Sequence, residues 1–108
     1  MDIDKYTFQV SWSETDQEYV ATVAEFPSLS WLDPDRRKAE AGLIDLVAEV
    51  VADMQSAGEP IPEPLGVREY SGKFNVRTSP SLHRRLAIAA KTEGISLNAL
   101  INQKLAAL

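Results

Sequence analysis

Gly58 is followed by Glu59-Pro60-Ile61-Pro62-Glu63-Pro64, and this segment cuts the 108-residue chain in two. Proline at every second position fixes φ and removes three backbone donors, so the stretch is extended and semi-rigid, neither helix nor inner strand. Whatever precedes it and whatever follows it must form separate structural pieces. Each piece is small, and a core gets harder to build as a chain shortens.

The two sides differ in charge. Residues 1–70 hold 5 Lys/Arg and 15 Asp/Glu, a net of −10, while residues 71–108 hold 6 Lys/Arg and 1 Glu, a net of +5. The overall −5 averages two unlike parts, and such asymmetry is a sign of a nucleic-acid-binding part joined to something else. There is no cysteine and a single histidine, His83. Disulfides, thiolate zinc sites and a cysteine nucleophile are therefore excluded, and no cofactor or metal is expected. No apolar run approaches a membrane span, and Met1-Asp2-Ile3-Asp4-Lys5-Tyr6 has no signal-peptide character. The expectation is a soluble, cytoplasmic protein.

In the first part, Tyr6, Phe8, Val10 and Trp12 alternate with polar residues, as do Tyr19, Ala21 and Val23, across the turn-like Glu14-Thr15-Asp16-Gln17. Period two with a short connection predicts an antiparallel hairpin with Trp12 inward. Leu29 to Leu32 is a candidate third strand. Asp33-Pro34 reads as a helix start, cap then proline. Ala39, Leu43, Leu46, Val47, Val50, Val51 and Met54 then make one helical stripe that ends at Gly58. Val67 to Tyr70 is a candidate last edge strand. The expected fold class is α+β, a small antiparallel sheet with one long helix across it. Phe26, Trp31 and Leu32 flank a loop, where large apolar groups are hard to bury, so they are candidates for a protein-binding patch.

In the second part, Phe74 and Val76 alternate with Lys73, Asn75 and Arg77. Ser79-Pro80 opens a helix with Leu82, Leu86, Ala89 and Ala90 as its stripe. Gly94 stops it, and Ser96 caps a final helix carrying Leu97, Leu100, Ile101, Leu105 and Leu108. Strand-helix-helix in 38 residues cannot bury a core alone, and metal and disulfides are excluded. Two chains solve this by pairing their strands antiparallel across a two-fold axis. Lys73, Asn75 and Arg77 then face outward on a ribbon that fits the DNA major groove, where Lys and Arg donate to guanine and Asn pairs with adenine. The amides opening the last helix, at Ser96, Leu97 and Asn98, suit a phosphate. Arg84, Arg85 and Lys91 read as a solvated helix face that helps attract phosphate.

Residues 72–108, with Lys73 to Thr78, Ser79-Pro80 and Gly94-Ile95-Ser96-Leu97-Asn98, resemble the ribbon-helix-helix repressors of the Arc/MetJ type. The resemblance implies base reading by Lys73, Asn75 and Arg77, and phosphate clamping by Ser96, Leu97 and Asn98. The N-terminal part resembles HicB antitoxins in Trp12-Ser13-Glu14, Tyr19-Val20-Ala21, Glu25-Phe26-Pro27-Ser28-Leu29-Ser30, the helix ending in Gly58 and the proline segment. Ser28 stands where that family usually has glycine, and Trp31-Leu32-Asp33-Pro34-Asp35 replaces its usual Gly-Asp-Thr-type stretch. The resemblance implies a degenerate RNase-H-like βββαβ domain over 1–64 that occludes a HicA-like mRNA-cleaving toxin. It further implies a linker or last edge strand over 65–71, and a dimerising module over 72–108 that represses the protein's own operon. Glu25, Phe26, Pro27, Trp31 and Leu32 become the candidate toxin-binding residues. The expected partners are operator DNA, a toxin and a second copy of the chain, or a dimer of dimers, with no membrane.

Two other readings compete. One is a stand-alone regulator whose N-terminal domain assembles dimers or binds another partner. The other is a metal-assisted nuclease using Asp16, Glu18 and Glu25, which nothing in their spacing brings together. His83 has no second ligand placed by the sequence, so an exposed histidine is expected. The chain is read as a non-enzyme.

Overall fold

The computed structural model describes residues 2–108. The chain forms two compact units, Met1–Tyr70 and Ser71–Leu108. The first is α+β. Strands β1 (Phe8–Ser13), β2 (Glu18–Val23) and β3 (Ser30–Asp33) form an antiparallel sheet in that order, and helix α1 (Arg36–Ala57) packs on one face. The second holds α2 (Pro80–Glu93) and α3 (Leu97–Leu105).

In the first unit the register sets Val10 opposite Ala21 and Ala21 opposite Trp31. Tyr19, Ala21 and Val23 thus share the α1 face with Trp31, and Val20 and Leu32 share the outer one. Ala39, Leu43, Val47 and Val51 from α1 are buried against Ala21, Val23, Tyr6 and Phe26, with Leu46, Val50 and Met54 at the margin. The stripe of the sequence is the buried face. Gly58 sits at φ 69° and its amide closes on the Gln55 and Met54 carbonyls, a left-handed cap that favours glycine.

The proline segment belongs to this unit. Ile61 packs on the core, and the Tyr6 hydroxyl donates to the Pro62 carbonyl at 2.7 Å. Burial first, and the Glu25 charge second, push that hydroxyl's pKa up and keep it a donor.

Four expectations are corrected. The α1 cap is Asp35, which accepts from the Arg37 and Lys38 amides, while Asp33 accepts from the Asp35 amide in the turn before it. Two aspartates two residues apart both suit a cap, and β3 uses the first as its last residue. No strand forms over 67–70. Leu65–Val67 is a 3-10 turn, and the Val67 amide that would open a ladder is spent on the Pro64 carbonyl. Trp12 is not core but 47% exposed, because it lies at the hairpin end of its strand. Phe26 is core, edge-on to Tyr6 with centroids 5.3 Å apart.

Trp31 lies over Gly42, where a Cβ would overlap the indole ring. The absent side chain lets the ring reach the helix backbone. Gly42→Ala is therefore expected to push the indole into water and red-shift its emission. In a Trp31→Ala background the same change should instead stabilise by about 0.5–1 kcal/mol, the ordinary gain for alanine inside a helix. Urea unfolding of the four variants checks this, and equal effects in both backgrounds would remove the packing role.

Candidate functional site

The second unit is open. Ala90 and Leu100 are its buried side chains among the described residues. Its helices are well made. Ser79 caps α2, with Pro80 at the first turn, and Ser96 caps α3 by accepting from the Ala99 amide. Gly94, at φ 73°, ends α2. Stable helices with a two-residue core leave apolar surface uncovered.

That surface is a broad concavity of about 1070 Å³, lined by Phe74, Val76, Leu82, Leu86, Ile101 and Leu105 among others. Residues 73–78 run along it as unpaired chain with no strand assignment. The expected strand is not formed in the single chain, because a strand needs a neighbour and none is present. Backbone N–H and C=O groups of residues 74–78 make no hydrogen bond among the described residues. Phe74 is 72% exposed and Val76 68%.

Lys73, Asn75 and Arg77 are exposed on the same segment. Arg84, Arg85, Lys91 and His83 are exposed on α2. At the start of α3 the Ser96 hydroxyl takes the Ala99 amide, and the Leu97 and Asn98 amides have no acceptor among the described residues. Free amides at a helix start can bind an anion. The candidate base-facing and phosphate-facing residues thus lie in one unit.

The candidate toxin-binding residues of the first unit separate. Phe26 is in the core. Pro27, Trp31 and Leu32 are exposed, but Trp31 and Leu32 point to opposite faces of the sheet. Glu25 is half-buried and acts as a clasp. Its carboxylate accepts from the Thr7 amide at 2.9 Å, the Thr7 hydroxyl at 3.0 Å and the Leu65 amide at 2.8 Å. It ties the proline strap to the sheet, a role that sequence separation hides. Asp16 accepts from the Ser13 hydroxyl in the hairpin turn, and among the described residues no acidic or histidine cluster is placed to hold a metal.

Residues 57–105 match the model of the HicB family. The match runs from the end of α1 through the proline strap, the extended segment and both later helices, a little under half of the chain. It is consistent with an antitoxin role in a toxin–antitoxin pair. Residues 1–56, which carry much of the sequence resemblance to HicB antitoxins, lie outside it. No curated protein and no solved structure matches the chain. Among the described residues no helix is long and apolar enough to cross a membrane.

Burial pushes the Glu25 pKa up, but the Leu65 and Thr7 amides and the Thr7 hydroxyl outweigh it and hold the carboxyl below its ordinary range. A depressed folded-state pKa adds stability that is complete above the unfolded value, about 4.3, and is lost as pH falls through the folded value. Glu25→Gln is expected to cost about 1 kcal/mol at neutral pH and to flatten the acid side of the stability curve. Urea midpoints from pH 7 to 3 check this, and parallel curves for variant and parent would count against the clasp.

Proposed function

We propose that this protein is the antitoxin and autorepressor of a toxin–antitoxin pair, acting by stoichiometric binding and not by catalysis. The observation that carries the reading is the unpaired segment 73–78, with two bare apolar side chains, inside the region that matches the HicB family. A second copy completes it. The two segments pair antiparallel as a ribbon, and Phe74 and Val76 of both chains enter a core shared by four helices, as in a ribbon-helix-helix dimer. Burying each such side chain contributes about 1.5–3 kcal/mol, so four of them give roughly 6–12 kcal/mol before ordering costs.

The ribbon then presents Lys73, Asn75 and Arg77 from both chains to the major groove of operator DNA. The free amides at Leu97 and Asn98, with Ser96, hold flanking phosphates and fix the register. The acidic first unit, read as the degenerate RNase-H-like domain, covers the RNA-binding surface of a basic HicA-like toxin in the cytoplasm. Complementary charge speeds that encounter. Toxin bound there changes operator affinity through a dimer of dimers, by avidity.

The confinement of the family match to residues 57–105 favours a second reading. In it the chain is a stand-alone regulator, and the first unit assembles dimers or takes a different partner. The product of the adjacent reading frame decides between the two. Co-purification of a short basic protein supports the antitoxin, and a chain that binds its promoter but no neighbouring product supports the regulator.

Arg77→Ala is expected to weaken binding to the protein's own promoter by about 1–3 kcal/mol with the dimer intact, measured by gel shift and sedimentation. Unchanged affinity would sink the ribbon assignment. Phe74→Asp is expected to turn the dimer into a monomer in sedimentation. Both tryptophans lie in the first unit, so their emission should stay as in the parent. A dimer that survives Phe74→Asp places the interface elsewhere.

A further inference from the structure

The sheet of the first unit has two free edges, and they are built differently. β3 is four residues long, ends in Asp33 and runs straight into Pro34. Shortness, charge and proline are the usual means by which a protein stops an edge from pairing. β1 has none of them. Phe8–Ser13 holds no charged residue, proline or glycine, and its register against β2 runs unbroken from Phe8 opposite Val23 to Ser13 opposite Glu18, without a bulge.

The outward edge of β1 is also unsatisfied. The Thr7 carbonyl accepts from the Ala24 amide at 3.0 Å, so Thr7 turns its backbone toward β2. Alternation along an antiparallel ladder then aims the backbone groups of Gln9, Ser11 and Ser13 at β2, and those of Phe8, Val10 and Trp12 at the open edge. Among the described residues no loop or turn backbone bonds those outward groups. Gln9, Ser11 and Trp12 are exposed along the strand, and Phe8 and Val10 are half-buried.

The strand is complementary to itself. Phe8 and Trp12 stand two residues to either side of Val10 on the α1 face, and Gln9 and Ser11 stand one residue to either side on the other face. A two-fold axis at Val10 therefore sets Val10 opposite its copy, Phe8 opposite Trp12 and Gln9 opposite Ser11. Every outward N–H then meets an outward C=O, because facing residues of a hydrogen-bonded pair exchange both bonds. The exposed Trp12 gains an aromatic neighbour across the join, a favourable cross-strand pair. Charge selects the same stretch. Residues 1–70 carry a net −10, so copies repel over most of the unit, and along Phe8–Ser13 they meet with no like charges face to face.

We propose that the β1 edge is an interface between two copies of this chain, antiparallel about Val10, which joins their sheets into one. It supplies the contact for the dimer of dimers in the proposed function, yet it needs neither a toxin nor an operator. One strand pair buries little surface. The contact is therefore weaker than the ribbon proposed for the second unit, and it forms at high protein concentration or where other contacts hold copies close.

The absence of cysteine makes the register testable in the full chain. Gln9 and Ser11 are exposed on the sheet face away from α1, so Gln9→Cys and Ser11→Cys leave the core alone. In the proposed pairing the two positions face each other as a non-hydrogen-bonded pair, with Cα atoms about 4.5 Å apart and within disulfide range. With oxidised glutathione at high protein concentration, a mixture of the two variants is expected to cross-link about five-fold faster than either variant alone. Added salt should speed the reaction, since screening weakens the repulsion between acidic units. Equal rates in the mixture and in the single variants would mean random collision and overturn the interface, as would slowing by salt. The same mixture carrying Phe74→Asp separates this contact from the second unit. Mixture-specific cross-linking is expected to persist there at the same concentration, and its loss would refute an interface formed by β1 itself. Neither outcome touches the antitoxin reading, which the adjacent gene product tests.

Discussion

A strand cannot exist without a neighbour, and the second unit has one extended segment with no partner in its own chain. That constraint shapes everything from Ser71 onward. Two helices of 14 and 9 residues bring together a core of Ala90 and Leu100 and little else. Among the described residues the backbone groups of 74–78 have no acceptors or donors, and Phe74 and Val76 are exposed. The proposed ribbon with a second copy would satisfy the hydrogen bonds and the apolar surface in one step. The same pairing would place the polar alternates of the segment on one outward face.

The first unit is complete by comparison. Its sheet is covered on one side by α1, and the core runs from Tyr6 and Phe26 to Leu43 and Val51. What is unexpected is the use of the proline strap. Its three prolines read as a spacer, but Ile61, the Pro62 carbonyl and the Leu65 amide are all taken up by the unit it leaves. Glu25 is central to this. One carboxylate with three donors, from residues 7 and 65, converts a flexible exit into a fixed one.

Much of the local structure was legible from residue order because its causes are local. Ser79, Pro80, Gly58, Gly94 and Ser96 mark helix ends through hydrogen bonds and φ values within a few residues, and each lies at the boundary its chemistry implies. The α1 stripe and the hairpin register follow from period alone. Reading failed where a residue's fate depended on distant chain. Trp12 shares the inward face of its strand, yet lies at the open hairpin end of it. Phe26 is in a loop, yet it is buried in the core against the edge of Tyr6. Asp33 and Asp35 both suit a cap, and the length of β3 decided between them. The Val67–Tyr70 alternation could not reveal that the Val67 amide was already spent.

The sequence by itself determined the division at the prolines, the opposite charges of the two parts and the helix boundaries, since each depends on neighbours along the chain. It also pointed to a second part that 38 residues without cysteine leave with little core of its own, and the structure shows Ala90 and Leu100 as its buried side chains among the described residues. Only the tertiary structure decided which side chains are free to meet a partner. It withdrew Phe26 from the surface, tied the half-buried Glu25 carboxylate to Thr7 and Leu65, left Trp12 exposed, and set Trp31 on the bare backbone of Gly42. Exposure is a property of what the rest of the chain covers, and alternation along a strand gives only the direction a side chain points.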